Sequence, residues 1–195
     1  MNIICSFPVN EMLTAAEFFN CSGIRSEVIN FSKFTFIKRP FTEDEKAEFD
    51  KKFNVGYAGF KKDSDGNEMT TIDKNENFKE DCIKAIEEVL TRTDIDMLFI
   101  NYNAYVLKYL DEKGIWYNMI YPARDMYEEV VGREYIRASK STKSLTNVNF
   151  LVENWDWILS HFESKEGQVG NKLIIEKGDT LIGVVSKHII SKEVN

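Results

Sequence analysis

Short apolar runs in this chain alternate with stretches whose apolar positions recur every three to four residues. The first pattern predicts strands and the second helices. Residues 2–7 form an apolar run that stops at Pro8, which predicts a buried strand. Residues 10–20 then place Met12, Leu13, Ala16 and Phe19 on one helical face, with Gly23 just beyond the end. Residues 27–31 predict a second short strand. Thr42, with Glu45 three positions on, is a capping box that opens a charged amphipathic helix running to Phe53.

Gly56, Gly59 and the cluster Asp63-Ser-Asp-Gly-Asn67 give residues 56–75 turn chemistry, a hairpin or a loop. The cluster resembles the opening of a calcium loop but lacks the closing Glu, since position 74 is Lys, so it reads as a plain turn. Residues 78–91 predict an amphipathic helix with Cys82, Ile83, Ile86, Val89 and Leu90 on one face. It leads into the continuous run 97–100, which suits a central parallel strand. A helix over 104–113 ends at Gly114, a strand over 116–121 ends at Pro122, and 125–139 is helical. Residues 139–144 read as a loop. Residues 147–162 form a helix with Phe150, Leu151, Trp155, Ile158 and Leu159 inward, and Trp157, about 200° from Trp155, faces out. A strand at 173–175 and a helix from 179 close the chain. Strands alternating with helices imply a three-layer α/β domain with a mostly parallel five-stranded sheet and helices on both faces. Residues 1–195 read as one domain, with 41–75 as an insertion or variable region.

Composition narrows the function classes. With 43% hydrophobic residues the chain can bury a core, which excludes global disorder. Its formal charge of −7 disfavours broad binding to nucleic acid or anionic lipid, so direct nucleic-acid binding is not expected. No apolar stretch approaches the roughly 18–20 residues of a membrane span. The first residues lack a signal-peptide pattern, so the expectation is a cytoplasmic protein with no membrane attachment. Three cysteines without paired spacing and two distant histidines, His161 and His188, give no disulfide framework, metal cluster or catalytic triad. No metal, cofactor or catalytic residue is expected.

The segment Cys5-Ser6-Phe7-Pro8-Val9-Asn10-Glu11-Met12-Leu13 follows the first strand. Residues 75–83, 98–102, Met119-Ile-Tyr-Pro-Ala-Arg124 with Glu128 and Glu129, and Phe150-Leu-Val-Glu-Asn-Trp-Asp156 follow in order. Together they resemble the small phage P-loop nucleotide kinases and kinase-like proteins, in which an apolar strand runs into C-G-F-P-G-x-G-K-S. The resemblance spans most of the chain, weakly over 42–75. It implies a P-loop-kinase-like fold in which the first strand and 97–100 are adjacent or near-adjacent, central and buried, and it makes 124–146 a lid-like segment. Arg124, Arg133 and Arg137 would then be a possible anion-binding lid, since arginines close on transferred phosphate. The other reading of these arginines is surface ion pairing with Glu128, Glu129 and Glu134.

The phosphate loop itself is degenerate. Such a loop needs glycines so that backbone N–H groups wrap a phosphate, a lysine for its charge, and a Ser or Thr for Mg²⁺. Here the glycine positions hold Ser6, Val9 and Glu11, the lysine position Met12 and the hydroxyl position Leu13. The segment acidic in relatives is Ile29-Asn-Phe-Ser-Lys33, without acid. The resulting expectation is a catalytically inactive phage-encoded protein that binds a protein partner of host or phage, such as a host defence or nucleic-acid enzyme. Any nucleotide binding would be weak. The alternatives are a nucleotide or polynucleotide phosphotransferase with an altered triphosphate site, and a nucleotide sensor without chemistry.

Overall fold

A computed structural model describes residues 1–7, 9–53, 70–139 and 146–190. The cluster 63–67, Lys140 and Lys143 lie outside the described residues. Along the chain the elements are β1 (Asn2–Ser6), α1 (Val9–Cys21), β2 (Ser26–Ile29), β3 (Phe36–Pro40), α2 (Glu43–Phe53), β4 (Thr70–Lys74), α3 (Phe78–Leu90), β5 (Met97–Asn101), α4 (Ala104–Glu112), β6 (Tyr117–Pro122), α5 (Tyr127–Ser139), α6 (Thr146–Ser164), β7 (Val169–Ile175) and α7 (Leu181–His188). They divide into two compact units, one of Met1–Asn30 with Ile83–Asn195 and one of Phe31–Cys82.

The first unit is α/β. Its sheet runs β2-β5-β1-β6-β7 with every pairing parallel, and helices surround it. β1 sits at the centre and pairs with β5 in the register Ile3↔Leu98 and Ile4↔Phe99. Ile3, Ile4 and Cys5 on one strand and Met97 to Ile100 on the other are at most 2% exposed. Continuous apolar runs can be buried on both faces only inside a parallel sheet, and each aliphatic side chain so placed contributes about 1.5–3 kcal/mol. The expected adjacency of the first strand and 97–100 is therefore met. α1 packs on β2 and β5 and against α7, and α6 packs on β6 and against α5.

Two inward positions read from periodicity face out. Leu13 and Phe150 are exposed, while Met12, Ala15, Ala16 and Phe19 in α1 and Val148, Leu151, Trp155, Ile158, Leu159 and Phe162 in α6 are buried. Each misplaced residue lies about 100° from the true stripe, so a wide apolar face absorbed it in the sequence. Trp157 is exposed as expected. β2 stops at Ile29, and a 3₁₀ turn over Phe31–Phe34 replaces the rest of that predicted strand. β7 runs from Val169 rather than from 173.

The second unit holds an antiparallel two-stranded sheet, β3 with β4, and helix α2. β3 is absent from the sequence reading. The capping box is present in both directions: Thr42 N–H donates to Glu45 Oε2 at 2.8 Å, and Glu45 N–H donates to Thr42 Oγ1 at 3.3 Å. Arg39 donates to both Glu45 oxygens and to Asp73, tying β3 to the cap and to β4. The Arg39 bonds, helped by the Thr42 N–H, hold the Glu45 carboxyl down at about 2.

Candidate functional site

β1 ends at Ser6 and α1 opens at Val9. A phosphate-cradling loop needs several residues whose N–H groups stay outside the helix. With α1 opening at Val9, positions Glu11, Met12 and Leu13 fall in its first turns. Phe7 N–H donates to the Ile120 carbonyl at 3.1 Å, and its ring packs against Trp155 and Phe162 at 6.0 and 6.3 Å between centroids. The chain thus leaves β1 anchored to β6 and α6.

The five predicted loop positions have separate fates. Ser6 ends β1, buried between Asn101 and Ile120, and its Oγ has no hydrogen-bond partner among the described residues. The side chain of Val9 lies outside the described residues. Met12 is fully buried among the α1 core residues. Leu13 points to solvent. Glu11 is largely buried, with 17% of its side chain exposed.

Glu11 is the link to the lid-like segment. Arg133 Nη1 lies 2.9 Å from Glu11 Oε1, and its Nη2 is 3.9 Å from Glu129 one turn earlier in α5. Arg137 pairs with the buried Glu134. Arg133 and Arg137 therefore share one charged cluster with Glu11, as their spacing of four allows. Arg124 does not join it. It donates to both oxygens of Glu163, at 3.0 and 2.6 Å, to Asp156 at 2.8 Å and to Ser160, all on α6. Its carbonyl accepts from Trp155 Nε1 at 3.3 Å.

All six arginines of the chain are ion-paired internally, the other three being Arg25 with Asp96, Arg39 with Glu45 and Asp73, and Arg92 with Glu27 and Asp94. Of the expected pairing with Glu128, Glu129 and Glu134, Arg133 takes Glu129 and Arg137 takes Glu134, while Arg124 takes Asp156 and Glu163 instead. The Glu11 pair joins residues 122 positions apart, so periodicity could not reveal it. The one signal in the sequence was a carboxylate at a glycine position, opposite a segment rich in arginine.

Burial pushes the Glu11 carboxyl above its ordinary range. Arg133 and then Arg137 pull it back, and Glu134 and Glu129 push it up again, leaving a net rise. The ionised pair is thus held at a desolvation cost greater than its Coulombic return. Glu11→Gln is expected to be as stable as the wild type at neutral pH, or more stable. The folded wild type holds the Glu11 proton more tightly than the unfolded chain, so its stability should rise as pH falls through the raised value, and the variant should lack that rise. Thermal melts from neutral to mildly acid pH check both. A neutral-pH loss above about 1 kcal/mol would mean that the pair is net stabilising.

A surface cavity of about 390 Å³ lies at the start of α5, lined by Asp125, Met126, Glu128, Glu129 and Lys177. Three carboxylates against one ammonium make it unsuited to a phosphate. Nearby in the chain, His161 stands between Trp157 and Tyr102, at 4.2 and 5.7 Å between ring centroids. Its Nδ1 lies 2.7 Å from the Trp157 carbonyl and so donates to it. Among the described residues no group of three His, Cys, Asp or Glu is placed to hold a metal, and no helix is long and apolar enough to cross a membrane. Cys5 and Cys82 are buried thiols and Cys21 is exposed. No protein-family model matches the chain, and no curated protein matches it either.

Proposed function

We propose that this chain is a P-loop-kinase-like protein that has lost phosphoryl transfer and acts by binding a macromolecular partner. The Glu11–Arg133 pair carries the reading. A lid arginine that closed on a transferred phosphate would need an anion from the substrate, and here a carboxylate of the chain itself meets it. A second, entering phosphate would face the same carboxylate at short range. The other parts agree with this. Met12, where the loop lysine would stand, belongs to the core, and no arginine is left without a carboxylate.

The kinase-like part of the reading draws on β1 and β5, adjacent and buried as the resemblance implies. The same resemblance points to a phage protein working in the host cytoplasm, with a host or phage protein as partner. A defence or nucleic-acid enzyme is the class of target it suggests. The acidic surface suits a protein partner better than nucleic acid.

Assays of ATP hydrolysis and of phosphate transfer to nucleoside monophosphates test the reading. The expected result is no turnover. Rates of about 1–100 s⁻¹, ordinary for kinases, would replace it with the phosphotransferase. Nucleotide binding without turnover would favour a sensor.

A further inference from the structure

We infer that the edge of β4 left unpaired among the described residues is a dimerisation strand, which pairs antiparallel with the β4 strand of a second copy of this chain. This surface goes beyond the functional reading above and does not depend on it.

A two-stranded sheet is marginal in water unless a further strand or a helix completes it. β3 and β4 have no third strand among the described residues. The ladder fixes which backbone groups are left over. Asn75 N–H donates to the Thr35 carbonyl, and the register continues Ile37↔Asp73 and Arg39↔Thr71. In an antiparallel pair the bonded positions alternate, so residues 71 and 73 bond to β3. The N–H and C=O groups of Thr70, Ile72 and Lys74 therefore point away from β3.

The outer edges of the two strands differ. β3 offers Phe36 and Lys38, but Pro40 has no N–H, and lysine with proline is how edges are kept from pairing. β4 offers three complete outward peptide groups on a β-branched segment, Thr70-Thr71-Ile72. Phe36 and Ile72 are 59% and 62% exposed on the same face, in the arrangement Phe36↔Lys74 and Lys38↔Ile72.

β4 is complementary to itself. With a two-fold axis at Ile72, the three outward positions meet outward positions: Ile72 against its own copy, and Thr70 against the copy's Lys74 on either side. Asp73 falls opposite the copy's Thr71. No like charges stand directly opposed, an apolar pair fills the centre, and every freed ladder group finds a partner. The contact is isologous and closes at two copies, because the β3 edges are blocked. It makes a four-stranded sheet, beyond the three strands that give a sheet stability of its own. Three paired residues on each copy make a small contact, of the weak and transient class rather than a permanent dimer.

Sedimentation of the full chain over a range of concentration tests this, with amide hydrogen exchange on the same samples. The expected result is a species of twice 22.7 kDa that grows with concentration. The amides of Thr70, Ile72 and Lys74 should gain protection with it, while those of Thr71 and Asp73 stay protected throughout. Ile72→Lys sets an ammonium opposite Lys38 within the pair and opposes two ammonium groups on the axis, and it should weaken the dimer about tenfold or more. Phe36→Lys sets the same like charge opposite Lys74 within the pair but none on the axis, and it should not. Three results would overturn the inference. The chain could remain monomeric at every concentration, or it could form a dimer indifferent to Ile72→Lys. It could also remain monomeric while its β4 amides are protected only by an added peptide of alternating acidic and apolar residues, which would give the edge to another protein.

Discussion

Met12→Lys, which would supply the lysine that a phosphate loop needs, is expected to destabilise the protein by about 3–5 kcal/mol without creating a nucleotide site. In a working loop that ammonium points into the phosphate cradle. Here the position is the first inward residue of α1, fully buried with Ala15, Ala16 and Phe19. A lysine there must either lose its proton or carry an unpaired charge into the core. Glu11, the adjacent acid, is on α1 and already engaged by Arg133. Urea denaturation should show a lower midpoint with an unchanged slope. A variant as stable as the wild type that binds ATP–Mg²⁺ would place residue 12 at a phosphate and remove the basis of the proposal.

Gly167→Ala is expected to cost about 3 kcal/mol, from a backbone part and a hydrogen-bond part of about 1–3 kcal/mol each. Gly167 has φ +107°, which side-chain-bearing residues rarely adopt. A Cβ at this position would lie 2.5 Å from Asp111 Oδ1. That carboxylate cannot simply move aside, since it accepts from Lys165, from Gln168 N–H at 2.9 Å and from Tyr117 Oη at 3.1 Å. Burial alone would raise its pKa, and these partners hold it below the ordinary range. Burial, and then the Asp111 charge, push the Tyr117 hydroxyl up, so it stays a donor. This cluster joins the end of α4 to the turn that starts β7, and α6 reaches that turn with Glu163 engaged by Arg124. A loss below about 0.5 kcal/mol, the scatter of ordinary surface changes, would mean that the turn relaxes freely.

The centre of the parallel sheet was legible because β1 and β5 are buried on both faces, and continuous runs such as Met97–Ile100 suit that placement. The Thr42–Glu45 cap was legible for a different reason: both partners sit three residues apart, and the chemistry is local. β3 was not legible. Phe36-Ile-Lys-Arg-Pro carries adjacent apolar residues that are both exposed, and the alternation that marks a half-buried strand is missing. Its order comes from β4, 34 residues on, and from Arg39 bridging to Asp73 and Glu45. At the site, the absence of glycine, lysine and hydroxyl at the compared positions could be read one residue at a time. The carboxylate's engagement of Arg133 could not, because the contact joins α1 and α5 across 122 positions of the chain. Leu13 and Phe150 show the limit of helical periodicity: it finds the buried stripe but not its width.

The central claim is that the chain's own carboxylate stands where a nucleotide's phosphates would, so the protein does not take ATP. Melting in the presence of ATP–Mg²⁺ tests it most directly, because any ligand of the folded state stabilises by mass action, about 2.7 kcal/mol at a hundredfold excess over its dissociation constant. The expected result is an unchanged melting temperature at millimolar ATP–Mg²⁺. A saturable rise in the melting temperature of the wild type would contradict the account.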